Sequence, residues 1–286
     1  MVLLLHTFDR IVPHRMNFSP IDCGRTHSRS SDAFVDDTSV GFTSCKDDLS
    51  YTSLISRLET VAQTWEKLLH LSGGKLNLKK CSYFVLRWEW PQGRPTLRKI
   101  LSSDPSVSLT QGQSTTRYAI RQTSPNESNR MLGVMLNPLG DYTDHLKMLR
   151  DKADTFARRL RSPRLTETDI SVFHRSIYTP SMRYSLAAVA TNNEEELSKV
   201  QSQISRVILQ RLHIRSTIPT ALRYGPIELG GLGIYDLRTE MGIEMLKYLR
   251  NALYSDSKAG NLIRLNLDYS QREAGVDFHQ IGRAHV

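Results

Sequence analysis

The spacing of apolar residues changes character at about residue 142, and that change limits the folds open to the chain. Beyond it, Leu146, Leu149, Ala153, Phe156 and Leu160 recur at helical spacing. Ile170, Phe173 and Ile177 make a second such stripe, and Leu197, Val200, Ile204, Val207 and Ile208 a third. Pro180 should break or kink the second helix, because it lacks an N–H and its ring crowds the preceding turn. Gly225-Pro226 and Gly230-Gly231-Leu232-Gly233 bracket a short extended piece, and a last helix is expected over 237–253. Before residue 142, helix and strand signals are mixed. Leu54, Leu58, Val61, Trp65 and Leu68 mark one face of a helix over 49–70, stopped by Ser72-Gly73-Gly74. The stretch 75–90 reads as strand, with Tyr83, Phe84, Val85, Trp88 and Trp90 bulky and β-prone. Residues 102–130 are polar and read as a long loop holding one strand around Tyr118-Ala119-Ile120. Met131-Leu132-Gly133-Val134-Met135-Leu136 returns to strand character and ends in an Asn137-Pro138-Leu139-Gly140 turn. A mixed part succeeded by a helical part predicts an α+β fold.

Composition narrows the partners. The 286 residues suffice for one or two domains. With 38 Lys and Arg against 29 Asp and Glu the net charge is +9, which favours a polyanionic partner, nucleic acid before anionic membrane. No apolar run approaches the length that crosses a bilayer. The opening Met-Val-Leu-Leu-Leu is interrupted at His6 and lacks a small-residue cleavage site, so an intracellular protein, in cytoplasm or nucleus, is expected. Three cysteines, Cys23, Cys45 and Cys81, cannot all pair, and none has zinc-ligand spacing.

Ala33-Phe34-Val35-Asp36-Asp37-Thr38-Ser39-Val40 sets two β-prone runs around an acidic pair, the pattern of a tight hairpin. Two adjacent carboxylates on rigid strands suit a hard divalent cation, which takes oxygen ligands and offsets their mutual repulsion. A solvated acidic turn is the other meaning of the same residues.

Phe34-Val35-Asp36-Asp37 resembles the aromatic-x-Asp-Asp motif of reverse transcriptases, with Phe where Tyr is more familiar. The order of the downstream motifs carries the resemblance further, over most of 17–275. Gly73-Gly74-Lys75-Leu76-Asn77-Leu78-Lys79-Lys80-Cys81 is similar to the fourth palm motif of the family. Met131-Leu132-Gly133-Val134 resembles its primer-grip hairpin, and Gly230-Gly231-Leu232-Gly233 a turn found after the polymerase in non-LTR retroelements. The resemblance implies a partial polymerase palm, a β-hairpin plus helix, over 31–141, and a helical thumb and post-polymerase region over 142–275. It implies Asp36 and Asp37 as ligands of Mg²⁺ or Mn²⁺ and Lys80 as an aid to pyrophosphate departure. Leu132 and Gly133 would hold the primer terminus, and Lys147, Arg150, Arg158 and Arg159 would contact phosphates. The partners implied are an RNA template, a DNA primer and deoxynucleoside triphosphates.

The family also carries an earlier metal-binding aspartate, a basic nucleotide grip and a Gln-Gly helix upstream of the acidic pair. The thirty-five residues before the acidic pair are too few to hold them, and neither Asp9 nor Asp32 has the right context. The expectation is therefore a fragment of an RNA-directed DNA polymerase, inactive on its own. A non-catalytic basic helical nucleic-acid-binding protein, or the remnant of a dead retroelement, are the alternatives. Gln280-Ile281-Gly282-Arg283-Ala284-His285-Val286 resembles an in-frame translation of a sequencing adapter, so 276–286 are set aside as carrying no biology.

Overall fold

The computed structural model describes residues 2–18, 27–34, 37–44, 50–186 and 194–275. They fall into two units, Met1–Glu127 with Ser255–Val286, and Ser128–Tyr254. Helices mix with six two-stranded sheets among the described residues, an α+β arrangement.

The first unit begins with α1 (Val2–Ile11). Two antiparallel pairs come next, β1 (Met16–Phe18) with β2 (His27–Arg29) and β3 (Ser31–Phe34) with β4 (Asp37–Val40). The chain then enters α2 (Tyr51–Leu71), the helix expected from the apolar spacing. The Ser50 hydroxyl caps its start by accepting from the Ser53 N–H. At its end Gly73 takes φ +85, which lets the Gly74 N–H reach the Leu69 carbonyl.

Two faces of α2 are covered. Val61 and Trp65 pack with Phe8 and Val12 at α1, the Phe8 and Trp65 rings meeting edge to face at 5.3 Å. Ile55 packs on the other side with Tyr83, Val107, Leu109 and Ile120. Each such side chain, fully buried, contributes ~1.5–3 kcal/mol relative to exposure.

Six short strands complete this stretch. β5 (Ser82–Tyr83) runs parallel to β10 (Arg121–Gln122). β6 (Trp88–Glu89) is antiparallel to β7 (Thr96–Leu97), and β8 (Ser108–Leu109) to β9 (Tyr118–Ala119). Strand character expected over 75–90 is thus confined to β5 and β6. Before them the chain turns, with the Lys80 N–H donating to the Asn77 carbonyl. The polar stretch 102–130 holds the expected strand at Tyr118, but it also supplies Val107, Leu109 and Ile120 to the core.

That stretch is held by the polar edge of α2. Glu59 accepts from the Ser108 N–H at 3.2 Å, Gln63 from the Thr110 N–H at 2.8 Å and Glu66 from the Gly112 N–H at 2.8 Å. Gln63 also donates to the Thr110 carbonyl at 3.1 Å, and Arg117 pairs with Glu59. The helix edge does for every second residue of the segment what a neighbouring strand would do.

The second unit opens with a hairpin, β11 (Asn129–Met131) and β12 (Val134–Leu136), packed on α3 (Thr143–Leu160). The expected stripe of α3 is buried against α6 (Glu194–Arg211), which brings Leu197, Val200, Ile204, Val207 and Ile208. Between them run α4 (Glu167–Phe173) and α5 (Thr179–Leu186). Pro180 does not break this pair. The helix passes through a π turn at His174–Tyr178, where the Thr179 N–H and hydroxyl both reach the His174 carbonyl. The wider turn shifts the inward register, so Ile177 is 49% exposed and Tyr178 takes its place at 1%.

The short α7 (Thr220–Tyr224) leads to a 3-10 turn, Ile227–Leu229, where the sequence suggests an extended piece. Gly231 sits back to back with Gly225, so close that an added Cβ would lie 2.1 Å from the Gly225 carbonyl oxygen. The unit closes with α8 (Leu237–Tyr254), after which α9 (Lys258–Ala274), beyond the last helix read from the sequence, belongs to the first unit. No helix among the described residues is long and apolar enough to cross a membrane.

Two packings lend themselves to direct test. Glu66→Ala should lower the stability of the first unit by ~1–3 kcal/mol, because the Gly112 N–H loses its acceptor, while Glu66→Gln should lose less. A urea midpoint unchanged in both variants would refute the helix-edge account. The second concerns His174, stacked between Tyr178 and Tyr235. Burial, aided by Arg175, lowers its imidazole to about 4. The unfolded chain takes up that proton near 6.5 and the folded chain does not, so stability is whole above 6.5 and falls towards pH 4. The loss amounts to on the order of 3 kcal/mol. His174→Phe should flatten this slope in urea titrations between pH 7 and pH 4.

Candidate functional site

The acidic hairpin is built as the sequence suggests at its described positions. β3 and β4 pair from Ser31↔Val40 to Phe34↔Asp37, so the last described pair includes Asp37. Asp36 lies outside the described residues; Asp37 heads β4 and is exposed. Alternation along β4 turns Val40 towards Phe8, Val12 and Trp65 and leaves Asp37 and Ser39 outward. Asp32, paired with Ser39, is the diagonal neighbour of Asp37, and it forms an ion pair with Arg29. Asp9 accepts from the Ser30 hydroxyl. No group of three or more His, Cys, Asp or Glu converges as a metal site among the described residues. Asp37 thus presents one carboxylate that fits a hard cation, and a second from this hairpin would come from Asp36.

Lys80 is exposed on the turn beyond α2. Cys81 beside it donates to the Asn77 carbonyl at 3.3 Å, and burial pushes its thiol up.

In the second unit, Leu132 and Gly133 are the two turn residues of β11–β12. Their φ values of 51 and 83 make a two-residue turn of the twisted kind that suits hairpins. Gly133 adopts this freely, whereas Leu132 carries ~1–2 kcal/mol of steric cost. The hairpin base is fixed by a bond from the Met135 N–H to His145 Nδ1, 3.1 Å long. His145 is fully buried, and burial, with Lys152 second, lowers its pKa. A neutral ring with the proton on Nε2 is what the Met135 bond requires, and that Nε2 has no partner among the described residues.

The cations of α3 are unevenly placed. Lys147, Arg150, Arg158 and Arg159 are all exposed, but Asp144, Asp151 and Asp154 share the outer surface. Net positive charge concentrates at the C-terminal end, in Arg158, Arg159, Arg161 and Arg164. Such a placement also complements the helix dipole. Lys152 is turned inward and donates to the Ser181 carbonyl at 2.7 Å.

Asp37 and Lys80 therefore belong to the first unit, and Leu132, Gly133 and the α3 cations to the second. Sequence reasoning missed the Leu132 backbone strain and His145, since neither leaves a trace in spacing or charge. A scan against protein-family models and a search of curated proteins both found no match.

Replacing Leu132 by Asn, which tolerates the left-handed region, should raise stability by ~1 kcal/mol. If Leu132 is kept for contact with nucleic acid, the same variant should bind a primed RNA template more weakly. A thermal melt and a filter-binding titration read the two effects. Lower stability would remove the strain argument, and unchanged binding would remove the contact.

Proposed function

We propose that this chain is part of an RNA-directed DNA polymerase of a retroelement. In this reading β3–β4 presents Asp36 and Asp37, α2 is the palm helix behind them, and the helices of the second unit form the thumb and post-polymerase region. One observation carries it, the ordered series of elements. An antiparallel hairpin whose last described pair includes Asp37 is succeeded by a helix ended at Gly73, the Lys80 turn and a two-residue Leu132-Gly133 hairpin seated on α3.

Asp36 and Asp37 would hold Mg²⁺ or Mn²⁺. When bound, the cation neutralises triphosphate charge and favours attack by a primer hydroxyl. Lys80, exposed and cationic, would stabilise the departing pyrophosphate. The Leu132-Gly133 backbone would lie against the primer terminus, and Arg158 and Arg159 would meet phosphates without reading bases. The substrates are deoxynucleoside triphosphates on an RNA template with a DNA primer.

A second reading, a basic nucleic-acid-binding protein without catalysis, is favoured by the cationic C-terminal end of α3 and needs no metal. Metal binding separates them. The polymerase reading expects Mn²⁺ to bind the chain, seen as enhanced water-proton relaxation, and to bind Asp36→Asn/Asp37→Asn at least about tenfold more weakly, a change of ~1.4 kcal/mol. Equal binding by a correctly folded double variant would remove the acidic pair from the site and leave the second reading.

A further inference from the structure

From Phe84 to Trp90 the first unit exposes four large apolar side chains and Glu89. Phe84, Leu86, Trp88 and Trp90 are exposed, the two tryptophans at 54% and 65%, while Tyr83 is buried and Val85 and Arg87 are half-buried. Glu89 lies in β6, so Trp88 and Trp90 project from the same side of the strand, and Phe84 and Leu86 add exposed apolar surface just before them. Large aromatic side chains rarely stand free in water without a partner to cover them.

The chemistry around this apolar surface identifies the partner. The segment 84–101 carries Arg87, Arg94, Arg98 and Lys99 against one acidic residue, Glu89. Arg94 and Lys99 are exposed, and Glu89 is engaged by Arg98 at 3.6 Å. An apolar partner protein or peptide has no need of such cations, whereas a polyanion with flat apolar faces needs both features. Single-stranded nucleic acid has that combination, since its unpaired bases stack on aromatic rings while its phosphates meet Lys and Arg.

The apolar surface is also held in place. β6 pairs with β7 through Trp88↔Leu97 and Glu89↔Thr96, and the Arg98 N–H extends the pairing to the Arg87 carbonyl at 2.8 Å. Arg98 is clamped by Asp104 through two bonds of 2.8 and 2.6 Å, and its guanidinium lies 4.0 Å from the centre of the Tyr51 ring on α2. The hairpin is thus anchored on the helix that organises the unit, so little ordering entropy is lost on binding. Along an extended chain Trp88 and Trp90 are ~6.8 Å apart, about twice the 3.4 Å step of stacked bases.

We infer that the β6–β7 hairpin is a stacking platform for single-stranded nucleic acid, with Trp88 and Trp90 as the base-contacting residues and Arg94 and Lys99 as phosphate contacts. It uses none of the residues assigned to the acidic pair, the Leu132 turn or α3, and it stands whether or not the chain belongs to a polymerase.

The test uses the full chain in EDTA, which keeps metal binding out of the measurement. The third tryptophan, Trp65, is 3% exposed, so emission quenched by a bound base reports on Trp88 and Trp90. An oligouridine of about 12 nucleotides should quench that emission. Trp88→Ala/Trp90→Ala should weaken its binding about 10- to 100-fold by fluorescence anisotropy, and Trp88→Phe/Trp90→Phe should recover most of the loss. Both substitutions fall on exposed side chains, and circular dichroism checks that the fold is kept. Equal affinity of the alanine variant overturns the inference, as does equal affinity of the wild type for a duplex of the same length. Quenching by phosphatidylserine vesicles without quenching by the oligonucleotide overturns it in favour of a membrane surface.

Discussion

The polar edge of α2 is the constraint on which the first unit depends. Strands of two residues cannot hold themselves together in water, and between Ser82 and Gln122 every strand is of that length. Extended backbone advances ~6.8 Å between the alternate N–H groups of Ser108 and Thr110, before the chain turns at Gly112, while helix positions 59, 63 and 66 advance ~6.0 and ~4.5 Å. Long Glu and Gln side chains can absorb that mismatch, which shorter Asp and Asn could not. The ladder fixes the segment so that Val107, Leu109 and Ile120 reach Ile55 on the same helix. Arg98, clamped to Asp104 over Tyr51, ties the β6–β7 hairpin to that frame.

Legibility from the sequence depended on whether a residue's partner lay in its own periodic element. α2, α3 and α6 were readable because their apolar stripes state which face is covered, and the structure buries Leu149, Leu160 and Ile204 completely. The π turn was not readable, since an added residue per turn cannot be seen in composition. Its consequence, Tyr178 inside and Ile177 outside, inverts a simple hydrophobic reading. Glu66 was invisible for a different reason. A glutamate on an amphipathic helix looks like solvent-facing surface, and the Gly112 N–H, far along the chain, joins the Gln63 amide in making its burial tolerable.

The same distinction runs through the candidate site. The acidic hairpin could be read locally, from β-prone residues around Asp36-Asp37, and the pairing from Ser31 to Asp37 obeys that pattern at its described positions. The pairing of Asp32 with Arg29 could not be read, because nothing in the sequence says that a lysine or arginine three residues away will turn towards it. The cations named on α3 are exposed, and they share its outer face with aspartates. Asp144, Asp151 and Asp154 offset the cations along the first four turns, and the end near Arg158 to Arg164 is the most positive.

Where local rules are broken without structural return, a binding role is the economical account. Leu132 sits at φ 51 although Asn or Gly would occupy that turn at less cost. Asp36 and Asp37 are adjacent like charges, which repel by ~1 kcal/mol at 4 Å even in water unless a cation lies between them. Trp88 and Trp90 stand in solvent on a hairpin whose own pairing does not need them. His174 is the instructive contrast. Its buried imidazole also costs stability, but its ring stacks between Tyr178 and Tyr235. That cost is explained by the fold. Leu132 and the two tryptophans have no such return in the fold, and their open backbone and bare aromatic faces are the features on which the proposed nucleic-acid contacts rest.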